Sequence, residues 1–364
     1  MTIPTTLRCT WLIFAVAVTA CCAQETVSAN SSSPAAAVKL SEWGASRWST
    51  PYRRTLAFMS DSSIAVLLCG LQNLAGCRLI VADFSSSKVE VRRETTISSS
   101  ASEVKRVGDQ GIMVSFDFKT GHRLYSSDLT ILQDLPNPWL ISISGNVIAS
   151  GTKEGDVAIY RIDGNRLSKI SVVEGGVELE AVSEDYVVLR DGNTIRTKTI
   201  DGISMGDFKV KPPTKCATEV DFAGKGRLHL QTCWHDSMVD YRGNTLSRFR
   251  APDGWGWRRG WSEDGRRLLY DHYTRHVSFL RSAGEITLAL ATLGIGVADE
   301  TANGETVRIV DTLTGNFCFE LKSPKSSHVP PDYHADISPS GKYAAVITDD
   351  SLSIYALPES CSKK

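Results

Sequence analysis

The chain repeats itself at an interval of roughly 40 residues, and each repeat is made of strands. From residue 52 onward, short apolar or alternating runs such as IAVLL, RLIVADF, GIMVSF, DVAIYRI, YVVLRD, RLHLQT, TVRIVD and YAAVIT are separated by Gly, Asp, Ser and Asn. Runs of that length bounded by turn residues predict strands, and no stretch has the spacing of an amphipathic helix. One strand, turn, strand unit recurs as FMSDSSIAVLL, GWSEDGRRLLY and DISPSGKYAAV. In it Ser and Asp open a tight turn and Gly supplies the left-handed residue. A later strand ends in a second turn, as in YRIDGNRLSKI, VDYRGNTLSRF and IVDTLTGNFCFEL. These second turns fall at Asp83, Asp128, Asp163, Asp201, Asp240, Ala283, Asp311 and Leu357. Pure strand at this period predicts an all-β fold, a β-propeller of four-stranded blades. The step from Ala283 to Asp311 is short for four strands. It is read as an extra blade or an enlarged one, so the expectation is seven or eight blades. The last unit, HADISPSGKYAAVITDDSLSIYALP, offers three strands. Its fourth is expected from Val38-Lys39-Leu40 or its neighbours, which would close the ring and remove sheet edges.

Composition narrows the function classes. With 42% hydrophobic residues and 40 Lys+Arg against 41 Asp+Glu in 364 residues, the chain is neither disordered nor collagen-like. A formal net charge of −1 also argues against a nucleic-acid partner recruited by charge. The N-terminus has the form of a leader: Arg8 precedes the apolar run from Trp11 to Ala20. That run suits a signal peptide over residues 1–20 and is too short to span a bilayer, which takes about 20 residues. Val18-Thr19-Ala20-Cys21 resembles a bacterial lipobox, which implies lipidation of Cys21. The alternative is an ordinary secretory cut before Cys21 or after Ala23. Residues 21–37 read as a flexible Ser/Ala-rich tether, and residues 38–364 as a single propeller domain. Either cut exports the protein. It is expected as a periplasmic or outer-membrane-anchored lipoprotein, or alternatively as a secreted protein, touching membrane only through the N-terminal lipid.

Beyond the leader and the Cys21-Cys22 pair at its cleavage site lie six cysteines, Cys69, Cys77, Cys216, Cys233, Cys318 and Cys361, an even number that predicts disulfides in an exported chain. Cys216 and Cys233 flank two strand-like runs around Ala223 to Gly226 and are expected to face each other across a hairpin. Opposed residues of a hairpin lie about 5 Å apart at Cα, within reach of a disulfide. Cys69 and Cys77 bracket residues 70–76 in the same way, which leaves Cys318 for Cys361. A zinc site is disfavoured because the mature chain has no C-x-x-C.

Ser338-Pro339-Ser340-Gly341-Lys342-Tyr343 resembles the S-P-D-G-K-x element of bacterial WD40-like, TolB-type and YVTN-type propellers. The turns after Asp311 and at Phe118 to Gly121 are similar. The Gly-His and Trp-Asp pair of true WD repeats is missing. The resemblance covers about residues 38–361 and implies a protein-binding or ligand-binding platform more often than an enzyme.

No catalytic residue, cofactor or metal site is expected. Gly202 to Gly206 matches G-x-S-x-G, but the extended DFKVKPP that follows is no helix, so the segment reads as a turn between strands. His272 and His276 sit in a strand and turn, where a spacing of four brings no convergence. Asp299 to Gly304 begins like a calcium loop, yet Val310 stands where a bidentate Glu is needed. One region rises above this background: Trp255, Trp257, Arg258, Arg259 and Trp261, with Trp234 and His235 in the preceding unit. Indole faces and arginine forks would suit an anionic glycan or an acidic envelope protein. The competing reading is inter-blade packing, with arginine stems covering strands. The function expected is therefore a non-catalytic binding module of the cell envelope. The alternative is an exported enzyme acting on saccharides or small molecules at the propeller axis.

Overall fold

The structure is a computed structural model. It describes residues 33–44, 54–69, 76–108, 111–116, 121–135, 141–151, 156–163, 166–173, 178–210, 219–224, 226–231, 235–250, 256–275, 302–322, 334–348 and 351–361, with the backbone alone at 54, 141–144, 250, 256–259, 271–275 and 302–306. Strand β1 (Ala36–Lys39) comes first. Blade 1 is β2 (Arg54–Phe58), β3 (Ser63–Cys69), β4 (Cys77–Phe84) and β5 (Val89–Ile97). Blade 2 is β6 (Ala101–Val107), β7 (Gly111–Phe116), β8 (His122–Ser126) and β9 (Ile131–Leu135). Blade 3 is β10 (Ile141–Ser144), β11 (Val147–Gly151), β12 (Val157–Asp163) and β13 (Arg166–Val173). Blade 4 is β14 (Glu178–Val182), β15 (Tyr186–Asp191), β16 (Thr194–Thr199) and β17 (Ser204–Lys209). Blade 5 is β18 (Glu219–Phe222), β19 (Leu228–Gln231), β20 (His235–Val239) and β21 (Thr245–Arg250). Blade 6 is β22 (Gly256–Trp261), β23 (Arg267–Arg275), β24 (Ala302–Asp311) and β25 (Phe317–Lys322). Blade 7 is β26 (His334–Ile337), β27 (Tyr343–Ile347) and β28 (Ser351–Ala356), with β1 as its fourth strand.

Every pairing within a blade is antiparallel, and the order in blades 1 to 6 simply follows the chain. First strands of neighbouring blades touch, β2 with both β6 and β26, β10 with β14, and β14 with β18, so they form the inner ring. The alternation of side chains along a strand explains the packing between blades. In β3, Ile64, Val66 and Leu68 enter the seam with blade 7, and Ala65, Leu67 and Cys69 enter the seam with blade 2. A middle strand therefore buries both faces, which is why SIAVLLC reads as a continuous apolar run. Each seam among the described residues has its own apolar cluster, such as Val107, Met113 and Leu124 with Ile148 and Ile162 between blades 2 and 3.

The blade count is seven. The short step at Ala283 is not a blade boundary. Ala283 falls in the connection between β23 and β24, residues 276–301, outside the described residues, and blade 6 is the enlarged one. The ring closes as the unpaired last unit requires: β1 lies antiparallel to β28, with Ala36 opposite Ile354 and Lys39 opposite Ser351. This strand takes in Ala36 and Ala37, the last two residues of the stretch read as tether, because β28 offers their backbone a partner. Residues 1–32, including Cys21, lie outside the described residues.

Cys69 and Cys77 face each other in the β3–β4 register and are bonded, and Cys318 of β25 is bonded to Cys361 of the C-terminal tail. Cys216 and Cys233 lie outside the described residues. The hairpin they were expected to flank is present, but Glu219 faces Gln231, one residue away from the register drawn through the cysteines, in which it would face Leu230. The cause is the loop: Ala223 pairs with Arg227 through an N–H···O bond of 3.0 Å, leaving an odd number of residues between them, with Gly224 and Gly226 left-handed.

Candidate functional site

The inner ring is an edge on which each first strand has backbone groups unpaired within its own blade. Side chains of the preceding blade supply partners. Leu56 N–H donates to His334 Nδ1 at 3.2 Å, Phe58 N–H to Asp336 Oδ2 at 2.8 Å, and Val104 N–H to Thr55 Oγ1 at 3.0 Å. Blade 7 is thus stitched to blade 1, and blade 1 to blade 2, along the axis. Asp336 Oδ1 also accepts from Ile337 N–H at 2.8 Å. The carboxylate fits because residue 260 of β22 is glycine: a Cβ there would lie 2.5 Å from Asp336 Oδ1. Burial pushes the Asp336 carboxyl up to about 7, against the opposing pull of its two backbone donors and the Arg106 charge.

At the same end of the channel the first turns meet from blade to blade. Ser340 N–H donates to Asp61 Oδ1 at 3.1 Å, Gly108 N–H to the Gly145 carbonyl, Arg227 to the Asp264 carbonyl at 2.5 Å, and Glu263 N–H to the Pro339 carbonyl at 2.8 Å. One contact does not join neighbours. Arg106, at the end of β6 in blade 2, pairs with Glu263 in the first turn of blade 6, with blades 7 and 1 between them on the shorter way round. The guanidinium is held from behind by the turn that follows its own strand, Nε donating to the Gly108 carbonyl at 2.7 Å. Its side chain is 17% exposed, and that of Glu263 is 63% exposed. This is a charged mouth at one end of the axis, with a half-buried cation capped by an exposed carboxylate.

Of the surface expected from sequence, Trp234 and Trp255 lie outside the described residues. Trp257, Arg258 and Arg259 fall on β22, the innermost strand of blade 6, described by its backbone. His235 begins β20 and is exposed. Trp261 joins the apolar cluster between blades 5 and 6 and meets the His229 ring edge-on at 4.9 Å. That seam holds a fully buried polar group: His229 Nε2 lies 3.1 Å from Asp236 Oδ1, and the Tyr270 hydroxyl of blade 6 donates to Asp236 Oδ2. Trp261 therefore acts as seam filler. Two neighbouring arginines are committed as well, Arg266 to Asp311 at 3.0 Å and Arg267 to the carbonyls of Gly341 at 2.8 Å and Pro358 at 2.6 Å.

Ser204 of G-x-S-x-G opens β17 after a turn, as the missing helix implied. Sequence reading missed Arg106, Glu263, His334 and Asp336, and also the cross-strand pair Ser115 and His122, whose Oγ and Nδ1 are 3.0 Å apart. Burial, seconded by Lys105, holds His122 below its ordinary value. Ser115 and His122 alone offer no donors for a developing oxyanion, so the pair reads as a hydrogen bond of the β7–β8 ladder. No group of three or more His, Cys, Asp or Glu with metal-binding geometry occurs among the described residues.

No protein-family model matches the chain, and no curated protein matches it in sequence. Among solved structures it is similar to Sqt1 of Chaetomium thermophilum, with a TM-score of 0.52 and 11% identity over 85% of this chain and 96% of that one. It is also similar to Sqt1 bound to the N-terminus of the ribosomal protein L10, with a TM-score of 0.52 and 12% identity over 83% of this chain and 96% of that one. The C-terminal WD40 domain of Sif2 aligns with a TM-score of 0.45 and 13% identity over 84% of this chain and 81% of that one. At these identities the likeness to Sqt1 shows a shared propeller fold.

Proposed function

We propose that the protein is an exported β-propeller of the cell envelope that works as a non-catalytic protein-binding module, related to the bacterial TolB-type and YVTN-type propellers through its Ser338 to Tyr343 element. The observation that carries the reading is the use made of the axial polar side chains. Thr55, His334 and Asp336 accept backbone N–H groups of the next blade, so groups that an axial active site would need are spent on ring closure. What remains for function is surface presented on a rigid frame, which suits binding. Sqt1 is solved with a protein segment bound, and we extend a protein partner to this chain. The two bonded cysteine pairs support an oxidising compartment.

The test is fractionation of cells making the full chain, with peptide mapping under non-reducing conditions and cross-linking in intact envelopes. The protein should sediment with the envelope, Cys21→Ser should release it, and a defined partner should be cross-linked. Full-length protein in the cytoplasm with Cys318 and Cys361 as free thiols would overturn the export reading. Turnover of a saccharide or other small molecule by the purified protein would overturn the non-catalytic one.

A further inference from the structure

We infer that the axial mouth at the first-turn end is a receptor for a carboxylate of an acidic segment in a partner protein, with Arg106 as the receiving cation and Glu263 as a built-in stand-in for that ligand. The inference rests on the protein-binding reading above and assigns it a place and a chemistry.

Four observations carry it. The Arg106–Glu263 pair joins blades 2 and 6, which share no seam, so it does not belong to the stitching that holds neighbouring blades together. Its two halves are unequal. Arg106 is half-buried and fixed by the Gly108 carbonyl, whereas Glu263 is exposed on a turn whose backbone is already held by Pro339. Burying a guanidinium demands an anion, but nothing demands that the anion be Glu263. The guanidinium fork is also matched to a carboxylate rather than to a neutral group. Finally, the nearby Asp336 carboxyl is raised to about 7, so near neutrality it is partly uncharged and opposes an incoming anion less than an ordinary aspartate would. The choice of a protein segment over a free small acid follows from the protein-binding reading, and competition by succinate decides between the two.

The experiment uses the purified full chain and fluorescein-labelled hexaglutamate, with hexalysine as the charge control and succinate as the small-acid competitor, read by fluorescence anisotropy. Wild type should bind hexaglutamate and not hexalysine. Glu263→Gln, which removes the internal competitor, should bind about fivefold tighter, the factor withheld by an exposed ion pair worth about 1 kcal/mol. Arg106→Gln should lose at least about tenfold in either background, the scale of a charge-assisted hydrogen bond. If Arg106→Gln melts early, Arg106→Lys keeps the charge without the fork and should bind between the two. Equal binding by wild type and Glu263→Gln, binding indifferent to Arg106, or no binding by Glu263→Gln would overturn the assignment. Displacement by succinate as effective as by unlabelled hexaglutamate would overturn the partner class in favour of a small dicarboxylate. A cross-linked envelope partner found together with a silent mouth would refute this site and leave the binding-module reading standing.

Discussion

Gly224 and Gly226 belong to one three-residue loop and both are left-handed, with φ of +84 and +72, but only one of them touches another blade. A Cβ on Gly226 would meet nothing within 4 Å, whereas a Cβ on Gly224 would lie 2.6 Å from the Asp264 carbonyl oxygen in the first turn of blade 6. Ordinary contact begins near 3.4 Å, so the two turns would have to part by most of an ångström. That same oxygen accepts the Arg227 guanidinium, whose bond would be strained with them. Gly226→Ala should cost about 1 kcal/mol, the left-handed penalty less the entropy removed from the unfolded chain. Gly224→Ala carries that penalty plus an overpacking cost of roughly 1–3 kcal/mol. Equilibrium urea unfolding followed by tryptophan fluorescence measures both, with m-values checked for constancy. Values equal within about 0.5 kcal/mol would refute the reasoning, because they would show that the first turns of blades 5 and 6 are not in contact. Glu263 adjoins Asp264, so Gly224→Ala should also alter hexaglutamate binding at the mouth, while Gly226→Ala leaves it unchanged.

Three further outcomes follow from the same geometry. The Asp336 carboxyl is raised from 3.8 to about 7 on folding, so the folded state holds this proton more tightly. Its contribution is greatest below pH 4 and is lost as pH rises towards 7, at about 1.4 kcal/mol per unit. Asp336→Asn should therefore gain stability relative to wild type between pH 5 and pH 8 in paired denaturation curves; parallel curves would contradict the assignment. Replacing Cys318 and Cys361 by Ala opens a separation of 43 residues and should cost about 4 kcal/mol, against about 2.5 kcal/mol for Cys69 and Cys77, separated by 8. The reverse order in thermal melts would refute the loop-length argument. Tyr270→Phe removes the buried donor to Asp236 and should destabilise by about 1–3 kcal/mol, with no loss of hexaglutamate binding.

The fold was legible in the sequence because its determinants are local. Period-two patterning marks the strands, and Ser, Asp and Gly mark the turns that separate them. Even the incomplete last unit pointed to the closing strand, since three strands leave an edge that β1 covers. One local reading slipped for an identifiable reason: the hairpin centre drawn from Cys216 and Cys233 missed a loop with an odd number of residues. Of the two readings of the short step at Ala283, the enlarged blade is the one found. The mouth was not legible at all. Arg106 and Glu263 are 157 residues apart, each in an unremarkable local setting, and only closure of the ring into seven blades brings them together. Asp336 is similar, because its enclosure depends on Phe58 and on the bare Cα of Gly260. Tryptophans and arginines attract notice in a sequence, yet Trp261 and Arg267 are occupied in holding blades together and Arg266 in an ion pair within its own blade.

The pairing of β1 with β28 also sets a timetable. During synthesis β1 leaves the ribosome before the other described strands and β28 after them, so Ala36 waits for Ile354 while all the blades between are made. Until then the first strand has no ladder and blade 7 has an open flank, an invitation to pair with another nascent chain. A chain stopped anywhere short of residue 351 cannot complete its circle, however well its earlier blades are formed. Closure of the ring is thus withheld until β28 itself has been made.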